Sequence, residues 1–97
     1  MDILITNEAK KMLDELLKDS DKKCIRILTR NITMTTAAKV DFELDDKKPN
    51  DMVYEIDGYT VVINHMLDSQ MNGLTISYGG LLSRNEFCVE ADFCFYY

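Results

Sequence analysis

The strongest candidate metal ligands in this sequence are its three cysteines, Cys24, Cys88 and Cys94. Thiolates are soft donors, suited to zinc, copper(I) and iron–sulfur clusters. Cys88 and Cys94 fall in one predicted strand, where a rise of about 3.3 Å per residue separates them by roughly 20 Å. Two ligands of one tetrahedral zinc ion lie only about 4 Å apart, since each is about 2.3 Å from the metal. We therefore expect these two thiols not to share an ion within one chain. We interpret all three as free, partly buried small side chains.

Residues for catalysis are few, because the chain has a single histidine, His65. No serine, cysteine or aspartate stands near it in a recognised triad order, and the motifs GxGxxG, GxxxxGK[ST] and HExxH are absent from the sequence. The pair Gly79–Gly80 predicts a turn rather than a phosphate-binding loop. We expect no catalytic residues and no enzyme. The alternative is an enzyme that uses the loop of residues 31–38 with His65 as its base.

The clearest local pattern predicts a helix over residues 6–19. Thr6 is a suitable N-cap, and Glu8 adds negative charge at the end of the helix where the dipole favours it. Asp14 is placed to pair with Lys18. Five apolar residues follow helical spacing and form one face: Ala9, Met12, Leu13, Leu16 and Leu17. This face is predicted to pack on the core.

From Cys24 onward the apolar period changes from that of a helix to that of a strand. The run CIRILTR predicts a mostly buried strand, and KVDFELD predicts a half-exposed antiparallel strand. In the second run the side chains predicted to face water are Lys39, Asp41, Glu43 and Asp45. A proline-containing turn over residues 47–51 follows.

Residues 52–64 carry the best hairpin signal, because Asp57–Gly58 sits between two alternating runs and suits a type I′ turn. Residues 65–71 predict a short second helical turn, and residues 74–78 predict another strand. The last strand is EFCVEADFCF, in which one face would carry Cys88, Glu90, Asp92 and Cys94.

The segment of residues 31–38 joins two predicted strands and is uncharged and rich in threonine. A plain hairpin would use a shorter connection with glycine or asparagine. Long connections of this kind often bind ligands, although a simple extension of the strands is the alternative.

The composition bounds the possible functions. With 97 residues and a formal net charge of −6, the chain fits one domain, residues 1–97, and offers no excess of cations for nucleic acid. No apolar run approaches the roughly 20 residues of a membrane-spanning helix. The N-terminus lacks the basic and apolar stretches of a signal peptide. We therefore expect a cytoplasmic protein that binds neither nucleic acid nor membrane.

The order of these elements resembles the HesB/IscA, or A-type, family of iron–sulfur cluster biogenesis proteins. The resemblance rests on the successive strings ILITNEAKKMLDELL, CIRILTR, VDFELDD, VYEIDGYTVVIN, NGLTISY and NEFCVEADF. It implies a mainly β (α+β) fold, a compact HesB-like β-sandwich or pseudo-barrel with one N-terminal helix. It also implies self-association, and iron or a cluster held by three cysteines.

The sequence departs from that family at the ligand positions. The family's loop cysteine falls at Met34 or Thr35, and its tail pair would fall beyond Tyr97. Ser77 stands where the family has aspartate. A thioether or hydroxyl does not replace a thiolate in a cluster.

We therefore predict a non-enzymatic HesB-like domain without the standard cluster site and without a cofactor. The alternative is an iron or iron–sulfur carrier in which displaced cysteines meet at a dimer interface, with Cys94, Cys88 and Cys24 as its candidate ligands. The apolar run 93–97 is an edge that a second copy would cover, which predicts a homodimer. Packing of this run on the chain's own helix is the competing interpretation. Iron–sulfur assembly proteins are the other partners that the resemblance implies.

Overall fold

The computed structural model describes residues 1–31, 38–79 and 86–94. In chain order the elements are β1 (Asp2–Ile5), α1 (Asn7–Lys18), β2 (Cys24–Asn31), β3 (Ala38–Asp45), β4 (Asp51–Ile56), β5 (Tyr59–Asn64), α2 (His65–Asp68), β6 (Met71–Tyr78) and β7 (Phe87–Phe93). The predicted mainly β fold with an N-terminal helix and a short second helix is confirmed. The sixth strand begins at Met71, earlier than the sequence pattern predicts.

The strands form two sheets, one with the order β1-β6-β7 and one with the order β3-β2-β5-β4. Strands β1 and β6 are parallel, as are β2 and β5, and the remaining neighbours are antiparallel. The sheets approach each other at β3 and β7, where the rings of Phe42 and Phe87 meet edge to face with centroids 4.8 Å apart. Both sheets and α1 contribute to one hydrophobic core.

Helix α1 begins directly after Thr6, the N-cap that the sequence predicts. The Thr6 hydroxyl accepts a hydrogen bond from the Ala9 amide at 3.3 Å, which satisfies one of the free N–H groups of the first turn. Ala9 and Leu13 are fully buried against the core. Asp14, expected to pair with Lys18, instead accepts a hydrogen bond from the Tyr59 hydroxyl at 2.6 Å. The core-facing strand β5 supplies a closer donor than the next turn of the helix.

The hairpin of β4 and β5 turns at the predicted residues. Asp57 and Gly58 have φ angles of 52° and 89°, the left-handed values that a type I′ turn requires at both positions. A second glycine is needed for a different reason. A Cβ on Gly73 would lie 2.8 Å from the backbone oxygen of Asp2, so the close pairing of β1 with β6 depends on the missing side chain.

The connection of residues 46–50 joins the two edge strands of the four-stranded sheet and so must pass over β2 and β5. Arg26 and its register partner Val62 lie on this outer face, because their neighbours Ile25, Ile27 and Val61 point into the core. Both are nevertheless buried, with Arg26 8% exposed and Val62 fully covered. The outer face of this sheet is therefore covered where the connection crosses it.

Candidate functional site

The three cysteines lie at three separate places in the fold. Cys24 is the first residue of β2 and lies opposite Asp45 and Thr60 in the four-stranded sheet. Cys88 lies on β7 in the three-stranded sheet, and Cys94 follows the end of that strand. All three are partly exposed free thiols.

Each thiol of the three-stranded sheet has its own neighbours. The Cys94 backbone N–H donates to the Gln70 carbonyl at 2.8 Å, and its thiol lies 2.8 Å from the Asn72 side-chain oxygen. The Cys88 thiol lies 3.8 Å from a carboxylate oxygen of Glu90. These contacts hold the two sulfur atoms at different points along the outer side of β7.

Within the described ranges, no group of three or more histidine, cysteine, aspartate or glutamate side chains is placed to hold a metal ion. A cluster or tetrahedral metal needs several such donors within a few ångströms. The donors in the described part of one chain therefore do not fit a closed iron–sulfur or zinc site. The family's loop position, Met34 and Thr35, lies outside the described residues, as does the aromatic tail of residues 95–97.

The loop of residues 31–38 is described only at its two ends. Asn31 and Ala38 are register partners that close the pairing of β2 with β3. His65, the candidate base, is exposed at the start of α2, where its backbone N–H donates to the Asn50 carbonyl at 2.9 Å.

An ion-pair cluster around Arg26 is the most heavily bonded polar group in the described part of the chain, and the sequence pattern does not indicate it. Its guanidinium donates to both carboxylate oxygens of Asp51 at 2.8 and 2.6 Å, to Asp45 at 2.6 Å and to the Asp46 carbonyl at 2.9 Å. The side chain of Asp51 is only 2% exposed. The cluster joins the end of β3 and the start of β4 to the middle of β2, so it holds the 46–50 connection in place.

The charges of this cluster stabilise one another. The hydrogen bond from Arg26 lowers the pKa of Asp45 to about 2, with smaller contributions from the Asp46 amide and Lys48. The same guanidinium lowers the pKa of Asp51, and the bond to Asp51 raises the pKa of Arg26 further above its ordinary value. All these groups stay ionised at neutral pH, as a structural anchor requires and a proton-transfer site does not.

Two open cavities have contrasting linings. One, of about 470 Å³, lies on the outer face of the three-stranded sheet and carries the carboxylates of Asp2, Glu90 and Asp92. The other, of about 460 Å³, lies between the start of β4 and the start of α2, and Met52, His65 and Met66 line it. The described lining of the first offers no cation to an anionic ligand, whereas that of the second includes two methionines and a histidine.

Neither helix in the described residues is long and apolar enough to cross a membrane.

The comparison with solved structures finds proteins of similar fold, whereas the comparisons with family models and curated proteins find no match. No family model matches the chain, and no curated protein matches it either. Solved structures do match it, IscA and SufA among them. IscA, solved with a 2Fe–2S cluster, has 21% sequence identity and a TM-score of 0.72, covering 92% of this chain and 84% of its own. Escherichia coli SufA, described as involved in biosynthesis of iron–sulfur clusters, has 13% identity and a TM-score of 0.71, covering 92% of this chain and 79% of its own. The expected HesB/IscA-like fold is thereby confirmed: this chain has the fold of IscA and SufA.

Proposed function

We propose that the protein is a non-enzymatic HesB-like domain protein, related to the carriers of iron–sulfur cluster assembly, that holds no cluster by the standard site. The fold supports the relation, since one similar structure holds a 2Fe–2S cluster and the other is involved in cluster biosynthesis. The positions of the three thiols support the proposal that the chain holds no cluster by the standard site. Fold similarity alone does not transfer a function, because the chemistry depends on particular side chains.

The observation that carries the proposal is the separation of the sulfur donors. Cys24 lies in the four-stranded sheet, whereas Cys88 and Cys94 lie along the three-stranded one. A cluster needs thiolates that converge on one point. Cys88 and Cys94 lie on and just beyond one strand, and a rise of about 3.3 Å per residue separates them by roughly 20 Å.

Anaerobic reconstitution with ferrous iron and sulfide tests the proposal. We expect no stoichiometric visible absorption band in the natural chain, and the same trace in a Cys24→Ser, Cys88→Ser, Cys94→Ser triple variant. The unfolding transition of both proteins checks that each is folded. A band at one cluster per chain or per dimer that disappears in the triple variant would overturn the proposal.

A second candidate is an iron or iron–sulfur carrier that assembles its ligands between two chains. The observation in its favour is that β7 is an edge strand and that both of its thiols are partly exposed. A second copy against this edge would place four thiols along one interface. Cys24 lies in the other sheet, so this edge arrangement does not use it as a ligand. The function then requires that Cys94→Ser alone abolish metal binding while the matched control Cys24→Ser retains it. Unchanged binding in Cys94→Ser eliminates it.

We further propose a homodimer, a single domain over residues 1–97, a cytoplasmic location and iron–sulfur assembly proteins as partners. Light scattering on the eluted protein gives the mass directly. A monomer at micromolar concentration would remove both the dimer and the shared-cluster candidate.

A further inference from the structure

We propose that Met52, His65 and Met66 form a binding site for a soft monovalent metal ion of the copper(I) class. This site does not include the cysteines, and its test does not depend on whether the function proposed above is correct.

The fold brings the three donors together from two elements. Asp51 at the start of β4 is the register partner of Asn64 at the end of β5, and the His65 N–H donates to the Asn50 carbonyl at 2.9 Å. These contacts place Met52 beside the first two residues of α2. All three residues line the same cavity of about 460 Å³.

Hydrogen bonds fix the backbone around the cavity, while the donor side chains are largely exposed. The Asn64 side-chain oxygen accepts from the Met66 amide at 2.9 Å, which sets the start of α2. At the other end of α2 the Tyr54 hydroxyl donates to Asp68, which ties the helix to β4. Met66 is 72% exposed and Met52 is 40% exposed, so neither thioether is committed to the core. Unbranched methionine side chains can then rotate toward a common ion.

The chemistry of the lining selects a soft ion. Both oxygens of Asp51, the only carboxylate in the lining, accept from Arg26, and the Asn64 oxygen caps α2. The side-chain donors left in the described lining are therefore two thioether sulfurs, one imidazole and the amide oxygen of Asn50. Thioethers select copper(I), whereas magnesium, calcium and manganese prefer several oxygen ligands, and among the side chains of the described lining only the Asn50 amide still offers one. Two sulfurs and one nitrogen are a suitable set for a three-coordinate monovalent ion.

Silver(I) is a redox-stable probe for this class of ion, and methyl-labelled methionine reports on it directly. The protein to use is the full chain with all three cysteines changed to serine, because thiolates would otherwise compete for the ion. We expect one equivalent of silver(I) to shift the methyl resonances of Met52 and Met66 while those of Met12 and Met71 stay in place. No shift at one equivalent, or an equal shift at Met12, would overturn the proposal.

A second experiment measures the copper(I) affinity of variants by anaerobic titration against a chromogenic chelator. We expect Met52→Leu, Met66→Leu and His65→Gln each to weaken binding at least about tenfold, by comparison with the 10–100-fold loss when a supporting residue of a metal site is removed. The control Met12→Leu, on helix α1, should stay within about twofold. The three tested side chains are exposed, so these variants are expected to fold, and their unfolding transitions check this. Loss of binding in Met12→Leu, or unchanged affinity in Met66→Leu, would refute the assignment.

Discussion

Replacing Arg26 by methionine should destabilise the protein strongly, because it removes the donor that neutralises a buried carboxylate. Arg26 makes four hydrogen bonds, one to the Asp46 carbonyl in the connection that crosses the outer face and three to its flanking residues Asp45 and Asp51. Two of them reach Asp51, whose side chain is 2% exposed. After the change, Asp51 keeps the Lys48 backbone N–H at 2.6 Å but has lost its charge partner.

The expected magnitude follows from that burial. Removing one partner of a buried ion pair costs about 3–5 kcal/mol, since the other charge is left without compensation. The whole free energy of unfolding of a domain is typically about 5–15 kcal/mol. With a urea dependence of roughly 1.5 kcal/mol/M, the unfolding midpoint should fall by roughly 2–3 M.

Arg30→Met is the matched control, since Arg30 has the same residue type, strand and sheet face. Its side chain is 52% exposed and contacts Asp41 at 3.1 Å and Glu43 at 3.8 Å. Exposed pairs of this kind contribute about 0–1 kcal/mol. Urea unfolding followed by circular dichroism compares the two variants. If Arg26→Met lost no more stability than Arg30→Met, the reasoning from the buried cluster would be refuted.

The same cluster predicts an acid dependence with a definite sign. The pKa of Asp45 is lowered from 3.8 to about 2, and that of Asp51 is lowered as well. A carboxyl group with a lowered folded-state pKa contributes fully above its unfolded pKa, and the contribution is lost as the pH falls through the folded value. Stability should therefore drop between about pH 4 and pH 2. The slope should be flatter in Arg26→Met, and an equal slope in both proteins would contradict the assignment.

Three further changes have local effects. Gly73→Ala should cost about 1–3 kcal/mol by the general cost of overpacking, because its Cβ would meet the Asp2 backbone oxygen at 2.8 Å. Tyr59→Phe should cost about 1 kcal/mol by losing the 2.6 Å hydrogen bond to Asp14. It should also remove a tyrosine that titrates late, since burial and then Asp14 raise the pKa of Tyr59 to about 12. This stabilisation is complete below the ordinary value near 10 and is lost as the pH rises through 12. Thr6→Ala should cost about 1 kcal/mol by removing the helix cap.

Urea unfolding measures the stability loss of each variant, and an ultraviolet titration measures the ionisation of the tyrosine. Thr75→Ala lies on the same strand as Gly73 without the close approach, so equal losses in the two variants would contradict the steric argument. Thr6→Ser keeps the capping hydroxyl and should stay near the natural chain. The hydrogen bond to Asp68 also raises the pKa of Tyr54 to about 12, so Tyr59→Phe should remove the amplitude of one tyrosine from the late part of the alkaline titration. An unchanged late amplitude would contradict the assignment to Tyr59.

The elements that sequence reasoning predicted are those set by neighbours along the chain. Helix α1 has its cap and apolar face within one segment, and the hairpin has a turn pair that accepts positive φ. The distance between Cys88 and Cys94 also depends only on neighbouring residues, because it follows from the rise per residue of one strand. Rules of spacing and propensity suffice for such features.

What sequence reasoning missed depends on contacts between distant segments. The run CIRILTR predicts a mostly buried strand, but only the order of strands shows that the 46–50 connection covers the outer face on which Arg26 lies. The grouping of Met52 with His65 and Met66 has the same origin, since the pairing of β4 with β5 brings them together. A thioether carries no charge and follows the apolar pattern of a strand, so the sequence alone gives no reason to single it out.

The contacts of Cys94 bear on any cluster shared between two chains. Its backbone N–H is bonded to the Gln70 carbonyl and its thiol to the Asn72 side chain, so the sulfur is held at the end of the three-stranded sheet. A metal would have to displace the contact with Asn72, whereas the contact with Gln70 would still fix the backbone. A shared site must therefore be reached by the second copy approaching the edge of β7, and not by movement of Cys94 toward Cys24. Asn72→Ala frees the thiol without changing any sulfur. If cysteines at this edge bind iron, that variant should bind it at least as tightly as the natural chain, and weaker binding would exclude this geometry.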